Sequence, residues 1–327
     1  MKFHKDILVL DAAAETERIV ARLRQVARSV MRRHGAVVGI SGGIDSALVL
    51  ALGVRAFGPE KIVALMLPEK DSDPLSEELA RELAARFEVR PIREDIAPAL
   101  EGYGCYRRRD EAIKRVFPQY DARLGYKAKI VLPQNLLDSD AMNVFSVTIV
   151  APDGTESSKP LPAPDYLQIV AASNLKQRTR MSMLYYHAEL HNYAVLGTAN
   201  KNEHDQGFFV KYGDSGVDIQ TIGHLYKTQV YQLSRHLGVP ENILKRPPTT
   251  DTYSAPCTQE EFFFRMPFTT MDLLWYALEN GIPAAEAAPI MGLTETQVQR
   301  AHTDFGRKHR ATEPLRMPPV NMVGPAR

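Results

Sequence analysis

Six residues, Ser41-Gly42-Gly43-Ile44-Asp45-Ser46, carry the first sign of chemistry in this chain. Two adjacent glycines allow positive φ and leave room for a ligand against the backbone amides. When a helix starts directly after such a turn, its unpaired N–H groups and the positive end of its dipole form a site for phosphate oxygens. The loop, with Gly39 and Ile40 leading into it, reads as a phosphate cradle. It has neither the Lys-Ser/Thr ending of a Walker loop nor the third glycine of the dinucleotide fingerprint. Asp45 instead brings a carboxylate to the phosphates, which it would repel unless a divalent cation sat between, so the loop implies Mg²⁺. The bland reading is an ordinary turn with Asp45 or Ser46 as N-cap. Strand, glycine pair, acid and apolar helix occurring together and in order speak against it.

A second set of chemical groups lies far downstream. Thr198, Asn200, Lys201 and Glu203 follow the apolar run Tyr193–Gly197; Lys211, Asp214 and Asp218 come next, then Lys227, and finally Arg246-Pro247-Pro248-Thr249-Thr250-Asp251. Each has a bland account: Lys211 and Asp214 as a surface pair, Asp218 as a turn residue, the threonines as caps. Lys227 says more, because a cation in the first turn of a helix opposes its dipole and calls for an anion nearby. Jointly these residues supply what the glycine loop lacks, cations for the β and γ phosphates and a second acid for Mg²⁺. Other candidates are weaker. His187 and His191 stand four apart on a helix without a third evident ligand and read as surface or interface histidines. Arg107 to Glu111 reads as a charged helix surface. Cys105 and Cys257 lie far apart, which argues against zinc, an iron–sulfur cluster or a disulfide framework.

The elements that must position these groups follow an alternating rhythm. Residues 11–33 read as an amphipathic helix, Ala36 to Ile40 as a strand, Ala47 to Leu52 as a buried helix and Lys61 to Leu67 as a second strand. Ser76 to Phe87 reads as a helix starting at Ser76, Val89 to Ile92 as a third strand, Asn174 to Asn192 as a helix and Tyr193 to Gly197 as a strand. Such alternation predicts an α/β fold with a doubly wound parallel sheet of about five strands and ligands at the strands' carboxyl ends, where the loop after Leu67 offers either an adenine contact or a plain turn. The whole chain, 1–327, reads as a single domain with an insert at about 103–165 and a C-terminal helical and tail part at about 260–327. In the insert, Asp153-Gly154 between extended runs predicts a β-hairpin ended by a proline-rich return. Lid, dimer contact and inert decoration all fit it. Residues 316–327 read as a loosely held tail. With 40 basic against 39 acidic residues, nothing suggests a nucleic-acid surface, and no segment approaches a membrane span, so the cytoplasm is the expected compartment.

The glycine loop resembles the signature of the ATP pyrophosphatase (PP-loop) superfamily, enzymes that split ATP between the α and β phosphates to adenylate a substrate. Asn174 to Met181, Gly197 to Glu203, Val210 to Asp218, Leu225 to Val230 and Pro248 to Asp251, in this order after the loop, are similar to the ammonia-dependent NAD synthetase family. The resemblance implies an adenine nucleotide alpha hydrolase-like fold, a homodimer, and ATP-dependent amidation of nicotinic acid adenine dinucleotide (deamido-NAD) with ammonia. Carried over, it implies ATP contacts from Gly39 to Ser46 (Gly39, Ile40, Ser41, Gly42, Gly43, Ile44, Asp45, Ser46), Thr198, Lys227 and Thr249, and Mg²⁺ on Asp45 and Glu203. It implies acid-substrate contacts from Arg178, Lys211 and Asp218, with Asp214 where ammonia enters. Family members end in a His-Lys-Arg run; here the order is Arg307-Lys308-His309-Arg310, which makes Lys308 and His309 the corresponding substrate contacts.

A carboxylate is a poor electrophile, and adenylation cures this by supplying a leaving group. Asp45, Lys227 and Asp214 are accordingly the expected catalytic residues, with Asp214 attracting ammonium and accepting its proton. Neither cysteine has the surroundings of a glutaminase nucleophile, so free ammonia is the expected nitrogen source. Three rivals remain: the same chemistry on another carboxylate such as nicotinate mononucleotide or a specialised metabolite, a tRNA-modifying pyrophosphatase, and a nucleotide-binding regulator without turnover. The charge balance disfavours the second, and the second acid with two lysines disfavours the third.

Overall fold

A computed structural model describes residues 2–133, 136–138, 144–250 and 252–322. Its first half follows the alternating pattern. Helix α1 (Ala12–Gln25) is capped by the Asp11 side chain and runs on into a π turn at Val26–Val30. Strand β1 (Ala36–Gly39) leads to α2 (Ile44–Phe57), β2 (Ile62–Met66), α3 (Pro74–Arg86) and β3 (Ile92–Arg93). Two expected boundaries move. Helix α3 starts at Pro74, capped by Asp73 rather than Ser76, because a proline at the first helical position gives up an N–H that has no intrahelical partner. The third strand lies at Ile92–Arg93 instead of Val89–Ile92, since the register that pairs it with β2 puts Ile92 opposite Leu65.

Helix α4 (Ala97–Gly102) leads into the insert, which opens with α5 (Cys105–Val116), followed by β4 (Lys127–Val131), β5 (Ser146–Val150) and β6 (Glu156–Pro160). The hairpin is there, with Gly154 at φ 85 in its turn, but it is two strands of a three-stranded antiparallel sheet in which β4 pairs with β5. Helix α6 (Ala163–His191) begins within the expected proline-rich return, because Pro164 sits in its first turn where no N–H is needed. The sheet then resumes with β7 (Ala194–Gly197), α7 (Lys201–Gln206), β8 (Ile219–Gln220), α8 (Lys227–His236) and α9 (Glu241–Lys245). Helices α10 (Phe268–Glu279), α11 (Ala284–Met291), α12 (Glu295–Ala311) and α13 (Glu313–Arg316) form the C-terminal part.

The main sheet has five parallel strands in the order β3-β2-β1-β7-β8. Successive side chains alternate between two cores, as strand geometry requires. Ala36, Val38, Ala64 and Leu196 face α1, α2, α3 and α8, while Val37, Leu65 and Val195 face α4, α5 and α6. Helix α2 has buried residues along nearly its whole length, which explains its uninterrupted apolar sequence; replacing Leu48, fully buried, by Ala would cost ~2–5 kcal/mol. Strand order reverses between β1 and β7, and a crevice opens outside their carboxyl ends at such a switch point. The glycine loop leaves one of these strands and Thr198 leaves the other.

Two surface expectations are corrected. Arg109 of α5 is buried, not solvated: its guanidinium pairs with Asp71 and, at 2.9 Å, with Asp110. His187 is likewise buried, bonded to Glu94 across 2.5 Å, whereas His191 is exposed. The tail is pinned at its start, where Arg316 donates to the Asp205 carbonyl at 3.1 Å and the Met317 carbonyl accepts from Lys211 at 2.9 Å. Residue 143, at the head of the first extended run expected in the insert, Asp251 and residues 323–327 lie outside the described residues.

Candidate active site

No side chain caps the start of α2, whose N-cap position is Gly43. A glycine there leaves the first-turn amides to a ligand. The loop is held from inside: Ser46 Oγ donates to the Gly43 carbonyl at 3.0 Å, and the Ser41 amide donates to Ser46 Oγ at 3.3 Å. Gly42 has φ 69 and its Cα lies so close to α3 that an added Cβ would fall 2.7 Å from the Ser76 carbonyl oxygen. Its place can be taken by no other residue without strain. Arg246 reaches the same spot, donating to Ser76 Oγ at 2.8 Å and to the Gly42 carbonyl at 3.5 Å.

Charge gathers next to the loop. Asp45, in the first turn of α2, accepts from Asn200 Nδ2 at 3.0 Å and pairs with the ammonium of Lys227, which is completely buried. Lys227 thus finds the anion that its place at a helix start demands. Burial disfavours its charge, but Asp45 and Glu203 outweigh that and hold its pKa above the ordinary lysine value. Asn200 caps α7, and Glu203 closes that capping box from the third helical position. The Glu203 carboxylate also accepts from Gln259 Nε2 at 2.9 Å. Burial first, and then the Asp45 charge, push its pKa up to about 8. Two carboxylates so close, with hard oxygen donors and a deficit of positive charge, suit Mg²⁺, which binds through one or two carboxylates plus phosphate oxygens. Among the described residues no cluster of three or more His, Cys, Asp or Glu is disposed to hold an ion.

A cavity of about 790 Å³ runs from this centre along the sheet's carboxyl edge. Of the residues singled out in the sequence, Gly39, Ile40, Ser41, Gly43, Ile44, Asp45, Ser46, Arg178, Thr198, Glu203, Lys211, Asp214 and Thr249 line it. Lys227 stands behind Asp45, and Gly42 faces α3. Asp214 accepts the Val210 amide at 2.7 Å within the tight turn 210–216; burial raises its pKa to about 6 against the pull of backbone N–H groups and Arg180. Lys211 donates to the carbonyls of Pro314 and Met317 at 2.7 and 2.9 Å. Three others are elsewhere. Asp218 is held between Tyr185 Oη (3.1 Å) and the Val195 amide (2.9 Å). On α12, Lys308 pairs with Asp304 at 2.9 Å, and His309 Nδ1 lies 2.7 Å from the Asp205 carbonyl.

Sequence reasoning counted Asn200 only among the groups at a strand end and missed Gln259 and Asp272; all three organise the centre, Asn200 as the α7 cap and a donor to Asp45. Asp272 on α10 is fully buried and accepts the Thr228 amide at 2.7 Å, so it fixes the start of α8 and with it Lys227. An acid in a mid-helix apolar run, Met271-Asp272-Leu273-Leu274, is the signal that was available.

A phosphate-binding glycine loop at the switch point of a parallel sheet, with an acid in the loop and a second acid and a lysine from later elements, defines the class: an α/β nucleotide-binding fold of the ATP pyrophosphatase type. Comparison with known proteins then narrows it. The family model for NAD synthase matches residues 15–125 and 126–310, and the chain belongs to that family. It is 48% identical over 317 residues to a protein of Rhizobium meliloti (strain 1021) named NH(3)-dependent NAD(+) synthetase, covering 97% of this chain and 94% of the relative. Two solved structures share the fold: NMN synthetase from Francisella tularensis (22% identity, TM-score 0.62, 97% of this chain and 100% of that one) and NH3-dependent NAD synthetase from Campylobacter jejuni (23%, 0.61, 95% and 100%).

Proposed function

We propose that this chain makes NAD by joining ammonia to the nicotinate carboxylate of deamido-NAD, using ATP and releasing AMP and pyrophosphate. The observation that carries this reading is the 48% identity, across almost all of both chains, to a relative named for that reaction. In the first step a nicotinate carboxylate oxygen attacks the α phosphorus; an acyl–O–P bond forms and pyrophosphate departs. The amides of Gly43 to Ser46 hold the departing phosphates, and Lys227 turns its ammonium to them from Asp45. Mg²⁺ bound by Asp45 and Glu203 would offset the charge on those oxygens. In the second step ammonia forms a C–N bond at the acyl carbon, and AMP leaves with the C–O bond electrons. Asp214, as the anion, draws ammonium to the site and takes its proton.

Arg178 and Lys211 serve the acid substrate in this reading, and Thr198 and Thr249 the nucleotide; all four line the cavity. Asp218, Lys308 and the exposed His309 stand outside the cavity lining and support it from their own contacts. The chain works as a homodimer in the cytoplasm; exposed Tyr186 and Leu190, one turn apart on α6, supply an apolar patch for a second subunit, and no helix among the described residues is long and apolar enough to cross a membrane. Incubation with ATP, Mg²⁺, ammonium and deamido-NAD should give NAD and AMP in equal amounts. Amidation of nicotinate mononucleotide with deamido-NAD left untouched would move the assignment to that acid.

A further inference from the structure

We infer that the 103–165 insert is a specificity element: with Phe145 and Tyr166 it builds the wall against which the aromatic ring of the acid substrate stacks. This rests on the proposed function and extends it to residues outside the motifs of the family. Phe145, at the entry to β5, and Tyr166, in the first turn of α6, lie ring to ring at 4.6 Å, with residues 146–162 of the insert strands and return between Phe145 and α6. Both line the cavity. The wall continues from Phe145 to Phe262 (6.0 Å) and from Phe262 to Phe208 (5.7 Å). The Phe208 amide in turn donates to the Glu203 carbonyl at 2.8 Å. The aromatic surface therefore runs up to the acid-bearing centre, where a carboxylate attached to a flat ring has to arrive.

The ATP adenine would take a different part of the cavity. Met66, Leu67 and Leu184 line the cavity at the ends of β1 and β2, beside the glycine loop, and contain no aromatic ring. The insert is also mounted rigidly. Lys176 of α6, fully buried, donates to Glu69 Oε1 (2.9 Å), to Asp71 Oδ2 (2.7 Å) and to the Thr252 carbonyl (2.7 Å). Tyr106 Oη of α5 donates to Glu69 Oε2 at 2.8 Å, and Arg109 pairs with Asp71. A buried, satisfied charge cluster of this kind fixes the insert to the loop after β2, so the stacked rings are preorganised for a planar ligand.

The test compares wild type with Phe145→Leu, Tyr166→Leu and Tyr166→Phe. Base-on-aromatic stacking predicts that each leucine variant raises KM for deamido-NAD about tenfold or more while KM for ATP stays within about twofold. Tyr166→Phe keeps the ring and should behave as wild type, and circular dichroism with thermal unfolding confirms that the variants fold. A rise in KM for ATP instead, or no change for either substrate, overturns the proposal. Failure of wild type to turn over deamido-NAD would overturn the functional reading alone. Saturation-transfer NMR with free nicotinate then decides the stacking separately: transfer lost in the leucine variants supports it, and unchanged transfer refutes it.

Discussion

Asp214→Asn should make the protein more stable at pH 8 and less able to form the amide. Burial raises the carboxyl from its ordinary 3.8 to about 6 in the fold, a difference of about 2 units, and 1.36 kcal/mol per unit sets a ceiling of ~3 kcal/mol on what the buried charge costs. The backbone N–H groups of Val210, Asp214 and Ser215 favour the anion. An asparagine oxygen can accept only part of that set, so a net gain of ~1–2 kcal/mol is the expected size. The sign follows from linkage. A carboxyl whose folded pKa is raised carries its full penalty above about pH 6; the penalty shrinks as the folded state takes up its proton and is gone below the unfolded value near 4. The variant's advantage should therefore be present at pH 8, fall between pH 6 and 4 and vanish below.

Urea unfolding of both proteins at pH 8, 6 and 4.5 measures this directly. Activity has to move the opposite way. Exchange of labelled pyrophosphate into ATP in the presence of deamido-NAD reports the first step, and NAD formation from ammonium reports both. Asp214→Asn should leave exchange nearly intact and lower amidation by about 10²-fold or more, the size of one general base. A stability gap that is the same at every pH would refute the burial argument. Equal loss of exchange and amidation would refute the role in handling ammonium.

The remaining predictions concern the phosphate end. Lys227→Met keeps the buried stem but leaves Asp45 facing Glu203 without its cation; pyrophosphate release should fall by about 10²-fold or more, and activity within tenfold of wild type would exclude the lysine from the phosphate clamp. Gly42→Ala forces a side chain into φ 69 and to 2.7 Å from the Ser76 carbonyl; calorimetry should show a loss of ~2–3 kcal/mol together with weakened ATP binding, and an unchanged midpoint would show that the loop yields. Chelation with EDTA should abolish turnover reversibly, and Glu203→Gln should raise the Mg²⁺ concentration for half activity by about tenfold, the equivalent of ~1.4 kcal/mol. A magnesium titration of the variant that overlays the wild-type curve would remove Glu203 from the ion's ligands.

The parallel sheet was legible because its strands are buried on both faces and therefore read as short unbroken apolar runs, Val37-Val38 and Val63-Ala64-Leu65 among them, at spacings filled by helices. What escaped depends on partners distant in sequence. Strand β4, Lys127-Ala128-Lys129-Ile130-Val131, has two lysines in five residues and is a strand only because β5 pairs with it. The early turns of α6 hide behind Pro160, Pro162 and Pro164, which mark a break in most contexts and here mark a start. Arg109 and Lys176 look like surface cations, and nothing local reveals that Asp71 lies across from the one and Glu69 from the other, 38 and 107 residues away in the chain.

The charged centre was more readable than the insert for a physical reason. Electrostatics constrains composition even before geometry is known: an acid in a phosphate loop needs cations, a lysine at a helix start needs an anion, and the parallel-sheet rule sends both to one edge. Asp45 and Lys227, 182 residues apart, accordingly meet. The same logic had no purchase on Asp218, whose carboxylate satisfies Tyr185 and the Val195 amide, because an acid that serves a hydrogen bond inside the wall has the same sequence appearance as one that faces a ligand. Nor could it find Phe145 and Tyr166. Apolar recognition leaves no charge imbalance in the sequence, and only the packed insert brings those two rings to the cavity. Charge pairing can thus be inferred from residue types, whereas stacking surfaces have to be seen.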